Sequence, residues 1–236
     1  MPFRKNSLMA ALILATSAMS GCSSAPQKTV DDQVQERQSF AIHALKGKSV
    51  ALDVSYFQRV KKEGSDDFEV RPVERKKDNE MYKGVLLEDA RLQLKTNEQL
   101  DFFQKYLERV VTTSGGQLAQ EGSKADVKIQ ASLTYGPMLA PAYRSYNLGK
   151  SLGLGLLTLG LGPNSYDAVA DYEIGLTLND NNKPVEYKAR VEQSSEQLKS
   201  SFNIGGSSEV QEAAMEAFRV TLEAQLKAFS IKANES

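Results

Sequence analysis

Side chains with the reactivity for catalysis are few in this chain. Among its 236 residues there is one histidine, His43, and one cysteine, Cys22. Carboxylates occur as adjacent pairs at Asp31-Asp32, Asp66-Asp67 and Glu88-Asp89. A general acid needs burial or a crowded like charge to raise its pKa, and neighbouring carboxylates in charged, loop-like stretches gain little of either. The pairs therefore read as solvated surface. His43 stands just ahead of the first strand pattern with no Ser or Cys nucleophile motif beside it, and reads as a boundary residue. A phosphate loop and HExxH are absent. The glycines between 149 and 162 do not follow GxGxxG spacing after a parallel strand. A metal centre built from His and Cys needs more ligands than these two. The expectation is a protein with no catalytic residues, no metal and no cofactor.

Cys22 has a different chemistry available. The chain opens MPFRKNSLMAALILATSAMSGCSS, with Arg4 and Lys5 ahead of an apolar run from Leu8 to Met19. That length suits a signal peptide and falls short of a membrane-spanning helix. Small residues then lead directly into Cys22, which resembles the bacterial lipobox, where the cysteine becomes the lipidated, palmitate-bearing first residue of the mature protein. One acyl chain anchors only marginally and two or more anchor stably; lipoproteins of this kind carry three. Ser23, rather than Asp, follows the cysteine. By resemblance to enterobacterial sorting this favours the outer membrane, with the body on the periplasmic or cell-surface side. Loss of residues 1–21 leaves 215 residues with 27 basic and 30 acidic side chains, a net −3. No basic excess exists to hold nucleic acid.

The second unusual stretch is LGKSLGLGLLTLGLGP, residues 148–163, which holds five of the sixteen glycines. Its uncharged part, Leu152 to Leu161, would span about 15 Å as a helix, half a hydrocarbon core. Gly149 and Gly153 have the GxxxG spacing that lets helices approach closely. Glycine also weakens an isolated helix by about 1 kcal/mol per residue, so the segment needs something to pack on. Three readings compete: a loop buried on the protein's own core, a dip into the membrane beside the anchor, and contact between subunits. The membrane- or subunit-contact candidates are Gly149, Leu152, Gly153, Leu154, Gly155, Leu156, Leu157, Leu159, Gly160 and Leu161. A sizeable exposed apolar patch marks an interface.

Elements must position these groups. Residues 22–44 read as a polar, flexible tether from lipid to fold. SVALDVSYF alternates as a strand. Residues 58–82 read as a charged insertion holding a short edge strand near Phe68 to Val73. GVLLEDARLQL is left between strand and helix. Asn97 caps a helix whose stripe is Leu100, Phe103, Leu107 and Val110, and Gly115-Gly116 stops it. ADVKIQASLTYG is a strand ended by Pro137 and Pro141, and residues 137–166 form the glycine-rich insertion. ADYEIGLTL and VEYKARVEQ make a hairpin with one wet face, followed by a Ser-rich connection over 194–206. A last helix carries Val210, Ala214, Phe218, Leu222 and Leu226 in one row. The fold expected for residues 45–232 is a single α+β domain: a mainly antiparallel sheet with two amphipathic helices on one face.

This layout resembles the TraT family of surface-exclusion outer-membrane lipoproteins. The shared features are the lipobox at Cys22, the strand SVALDVSYF, KADVKIQASLTYGPM with a glycine-rich apolar segment directly after it, DAVADYEIGLTL, YKARVEQ and the closing helix. Residue by residue only KADVKIQ and YKARVE are similar. A broader similarity is to small lipoproteins with a strand–helix–strand core like the TolB N-terminal domain. The resemblance implies an oligomeric, non-enzymatic envelope protein, with the glycine-rich segment facing membrane or subunits.

The functional expectation is a lipid-anchored, non-enzymatic outer-membrane protein acting through protein–protein contact or self-assembly, as surface exclusion would require. Its partners would be the membrane, copies of itself or another envelope protein. The alternative is a periplasmic binding or transport and assembly accessory domain for a lipid or glycan.

Overall fold

The computed structural model describes residues 28–73, 87–120, 122–136, 140–157, 162–180, 183–200 and 206–236, with residues 87–95, 155, 206 and 207 as backbone only. The signal segment and Cys22 lie outside them. A seven-stranded mixed sheet is formed by β1 (Ser49–Lys61), β2 (Phe68–Pro72), β3 (Gln117–Leu118), β4 (Val127–Tyr135), β5 (Ala142–Tyr146), β6 (Asn164–Asp180) and β7 (Lys183–Lys199). Four helices accompany it: α1 (Val30–Gln35), α2 (Leu87–Thr113), α3 (Leu148–Leu157) and α4 (Gly206–Glu235). The expected α+β architecture with a mainly antiparallel sheet is the one found.

β6 organises the sheet. Its second half pairs antiparallel with β4, from Tyr172 opposite Tyr135 to Asp180 opposite Val127. Its first half pairs with β5, Ala170 opposite Ala142. β4 and β5 thus act as one interrupted strand, with Pro141, which cannot donate to a ladder, directly before β5. β7 covers the whole other edge of β6. β1 lies parallel to β4, reached through the α2 crossover that parallel strands need. β2 continues the sheet antiparallel to β1. The short edge strand expected near Phe68 is therefore present.

One sheet face holds the core. Val127, Ile129, Ala131, Leu133 and Tyr135 of β4 and Tyr172, Ile174, Leu176 and Leu178 of β6 are all buried there, as their two-residue period requires. α2 and α4 lie side by side on this face. Phe102 of α2 meets Phe218 of α4 edge-on at 6.3 Å, and Tyr172 meets Phe218 at 5.2 Å. Each such aromatic contributes about 1.5–3 kcal/mol by burial. The stripes expected on both helices are buried, and α2 adds Phe102, Tyr106 and Val111 to its own. Gly115, at φ +78°, follows α2 in the left-handed conformation that glycine tolerates.

Four readings are corrected. Asn97 is interior to α2, which begins ten residues earlier at Leu87; an interior asparagine costs well under 1 kcal/mol against a 27-residue amphipathic helix. The tether does not extend to residue 44. α1 forms at Val30 under a capping box between Thr29 and Asp32, and Val34, Ile42 and Leu45 are buried in the core. The Ser-rich stretch 194–199 is strand, because every residue to Lys199 has a partner on β6. The segment 137–166 is not insertion throughout, since β5 is a full member of the sheet.

Candidate contact surface

The sheet ends in a tip where β5 and β7 finish and β6 and α4 begin. α3 sits at this tip, on the face opposite α2 and α4. Its docking is polar. Asn147 donates its N–H to the Ser165 carbonyl at 2.9 Å, and Ser151 donates to the Asn147 carbonyl at 3.0 Å. The Ser165 N–H donates to the Ser151 hydroxyl at 2.9 Å. Glu196 of β7 accepts from Lys150 at 2.9 Å through one oxygen and from Ser165 at 2.9 Å through the other. Those two donors hold the Glu196 carboxyl below its usual range, and Glu196 raises Lys150 in turn.

The burial of α3 is inverted. Ser151 is 8% exposed, while Leu148 and Leu152 are each 58% exposed, Leu156 82% and Leu157 83%. An amphipathic surface helix does the reverse, hiding its leucines and showing its serine. Tyr146 and Leu198, both largely exposed, extend the apolar surface around the tip. A methyl group at Gly153 would meet nothing within 4 Å, and one at Gly149 only the Asn147 amide oxygen at that limit. The glycines of the GxxxG spacing are thus unused for close packing within the chain. The reading of this segment as a loop buried on its own core does not fit these leucines. Leu154 is half-buried. Gly155 has a described backbone only, and Leu159, Gly160 and Leu161 lie outside the described residues, as does Cys22.

Of the carboxylate pairs and His43, the described side chains lie at the surface. Asp31 pairs with Lys105 at 2.7 Å, Asp32 caps α1, and Asp66 pairs with Lys61 at 2.8 Å, all at the surface. His43 is exposed in a single 3-10 turn. The Glu88 and Asp89 side chains lie outside the description. Among the described residues no three His, Cys, Asp or Glu side chains come together as metal ligands. No described helix is long and apolar enough to cross a membrane.

The open face of the sheet holds a charge cluster that reading the sequence missed. Asp171 of β6 lies between Arg59 of β1, at 3.2 Å, and Arg190 of β7, and Glu173 meets the same two guanidinium groups at 3.4 and 3.5 Å. Burial pushes the Asp171 carboxyl up, with Arg59 opposing. Beside it runs an open trough of about 380 Å³, with Ser132, Thr134, Lys188 and Arg190 along its sides and Gly175 in its floor. The signal was present as outward-facing arginines and carboxylates in three strands, but their alignment depends on the parallel pairing of β1 with β4.

No family model matches the chain, and no curated protein matches it either. A solved structure titled "Crystal structure of uncharacterized protein" aligns over 81% of this chain and 97% of its own, with 10% identity and a TM-score of 0.26.

Proposed function

We propose that the protein is a lipid-anchored, non-enzymatic lipoprotein of the bacterial outer membrane, held at Cys22 and acting by contact with the membrane or an envelope partner. The signal segment, the small residues before Cys22 and the Ser23 that follows support the anchor and its address. The observation that carries the contact reading is the inverted burial of α3, whose exposed leucines have no reactive group among them. Such a surface binds and does not catalyse.

The test is fractionation with mass analysis. Protein from its own cells should sediment with membranes, resist a salt wash and carry acyl groups on Cys22, and Cys22→Ala should appear in the soluble fraction. Recovery of Cys22→Ala in the washed membranes would overturn the lipid anchor. A second reading, an accessory domain that binds a glycan, is favoured by the hydroxyl- and charge-lined trough on the open face. A sugar-dependent rise in melting temperature, lost in Arg190→Ala, would support it.

A further inference from the structure

We propose that the tip of the molecule is seated in a lipid bilayer surface, with α3 lying at the boundary between headgroups and acyl chains. Leu152, Leu156 and Leu157 then enter the hydrocarbon of one leaflet, and the strands of the sheet stand along the membrane normal. The proposal rests on the lipid-anchored reading and names what the exposed leucines contact.

The first argument is reach. The described chain begins at Lys28, so five residues separate it from Cys22. Six peptide steps span at most about 20 Å. Gln33 of α1 donates to Glu98, and the next residue of α2, Gln99, bonds Ala142, which lies opposite Ala170 of β6. Gln33 also donates to the Lys28 carbonyl at 3.2 Å, which brings the first described residue near the level of Ala170. From there to Asn164 at the tip is six residues of strand, about 20 Å; to the β6–β7 turn at Asp180 it is ten, about 33 Å. α1 also runs the right way. Arg109, near the far end of α2, donates to the carbonyl oxygens of Val34 and Arg37, so the N-terminal end of α1 is the end nearer the tip. A bilayer holding a lipid on Cys22 is within reach of the leucines and out of reach of the opposite end.

The second argument is size. A stable protein interface uses about 20–30 residues a side. The apolar surface here is a ten-residue helix, about 15 Å long, with a few flanking side chains. That is small for a second copy of the chain and ample for an interfacial helix, which sinks only about 5–10 Å into the leaflet.

The third argument is charge. Lys150 is the one charged residue of α3, and its ammonium is held on Glu196 against the sheet. The outward side of α3 presents leucine and glycine, which carry no desolvation cost into acyl chains.

The chain has no tryptophan, so an introduced one reports alone. Full-length acylated protein carrying Leu156→Trp is reconstituted into vesicles of phosphatidylethanolamine and phosphatidylglycerol, with and without brominated acyl chains. Ile231→Trp, at an exposed position near the far end of α4, is the companion reporter. The expected result is blue-shifted emission at position 156 and bromine quenching several-fold stronger there than at 231. Adding Leu157→Asp should weaken the quenching while the circular dichroism stays the same. Equal, weak quenching at both positions in vesicle-bound protein would overturn the proposal. So would a blue shift at 156 that ignores bromine and disappears on dilution, since that is a second copy covering the helix. Vesicle flotation and the mass of the Cys22 peptide report the anchor separately: an unmodified Cys22 overturns the anchored reading and this one with it.

Discussion

The side chain of Gln99 on α2 stands in for a strand against Ala142 of β5. Its Nε2 donates to the Ala142 carbonyl at 2.9 Å, and its Oε1 accepts the Ala142 N–H at 2.7 Å. Both groups are buried. β1 pairs with β4 only as far as Gln58 opposite Tyr135, so on the side away from β6 no strand meets the two main-chain groups of Ala142.

Gln99→Leu should therefore be costly although it replaces a polar residue by an apolar one of similar bulk. It strands a buried donor and a buried acceptor, each worth about 1–3 kcal/mol. A loss of roughly 2–4 kcal/mol in urea unfolding is expected, with the m-value unchanged. A variant as stable as the parent would mean that water or another side chain satisfies Ala142.

Ile129→Asp should abolish the fold. Ile129 is buried in β4 between Leu52 and Leu178, with no cation among its strand partners. An unpaired carboxylate there costs more than about 4 kcal/mol, a large part of a domain's stability. Insoluble expression or a lost near-ultraviolet spectrum is the outcome to look for.

Gly153→Ala should do the opposite on a local scale. The site has open space for a methyl group, and alanine favours helix by about 1 kcal/mol over glycine. Amide exchange in α3 should slow by up to about fivefold, with global stability unchanged. Faster exchange would mean that the glycine is needed where it stands.

The α3 clamp should respond to pH at both ends of the scale. Glu196 has its folded pKa lowered by the bonds from Lys150 and Ser165, so its contribution is present above the ordinary glutamate value and fades as pH falls through the depressed one. Lys150 is raised by Glu196, so its contribution is full below the ordinary lysine value and is lost as pH rises through the elevated one. Docking of α3 is thus tightest roughly between pH 5 and 10. Protection of the Ser165 amide, corrected for the intrinsic rate, should fall outside that window. Glu196→Gln should flatten the dependence.

Gly136→Ala should disturb the open-face cluster. A methyl group there would lie 2.6 Å from an Asp171 carboxylate oxygen, and Asp171 is fixed between Arg59 and Arg190. A lowered melting temperature, partly recovered in Gly136→Ala with Asp171→Ser, would show the clash; no change would mean the carboxylate moves freely.

Much of the fold was readable from periodicity. The alternation in β4 and β6 and the four-residue row from Val210 to Leu226 specify buried faces by themselves, because each side chain's direction follows from its own backbone. Length was less readable. β6 and β7 run on through Ser165 and Ser194-Ser195, where polar residues break the pattern, since a hairpin continues wherever each strand satisfies the other's main chain. The span of α2 and the docking of α1 were hidden for the same reason: both depend on partners distant in sequence, such as Arg109 for Val34 and Ser114 for Ile42.

For the contact surface the division is sharper. Composition alone established that the chain has one histidine, one cysteine and a leucine–glycine segment too short to span a bilayer. Whether those leucines turn inward or outward was a tertiary decision. Ser151 and Lys150 hold α3 to Ser165 and Glu196 by hydrogen bonds and an ion pair, and this polar docking uses up the helix face toward the sheet. A helix has one face to give, so the leucines take the other.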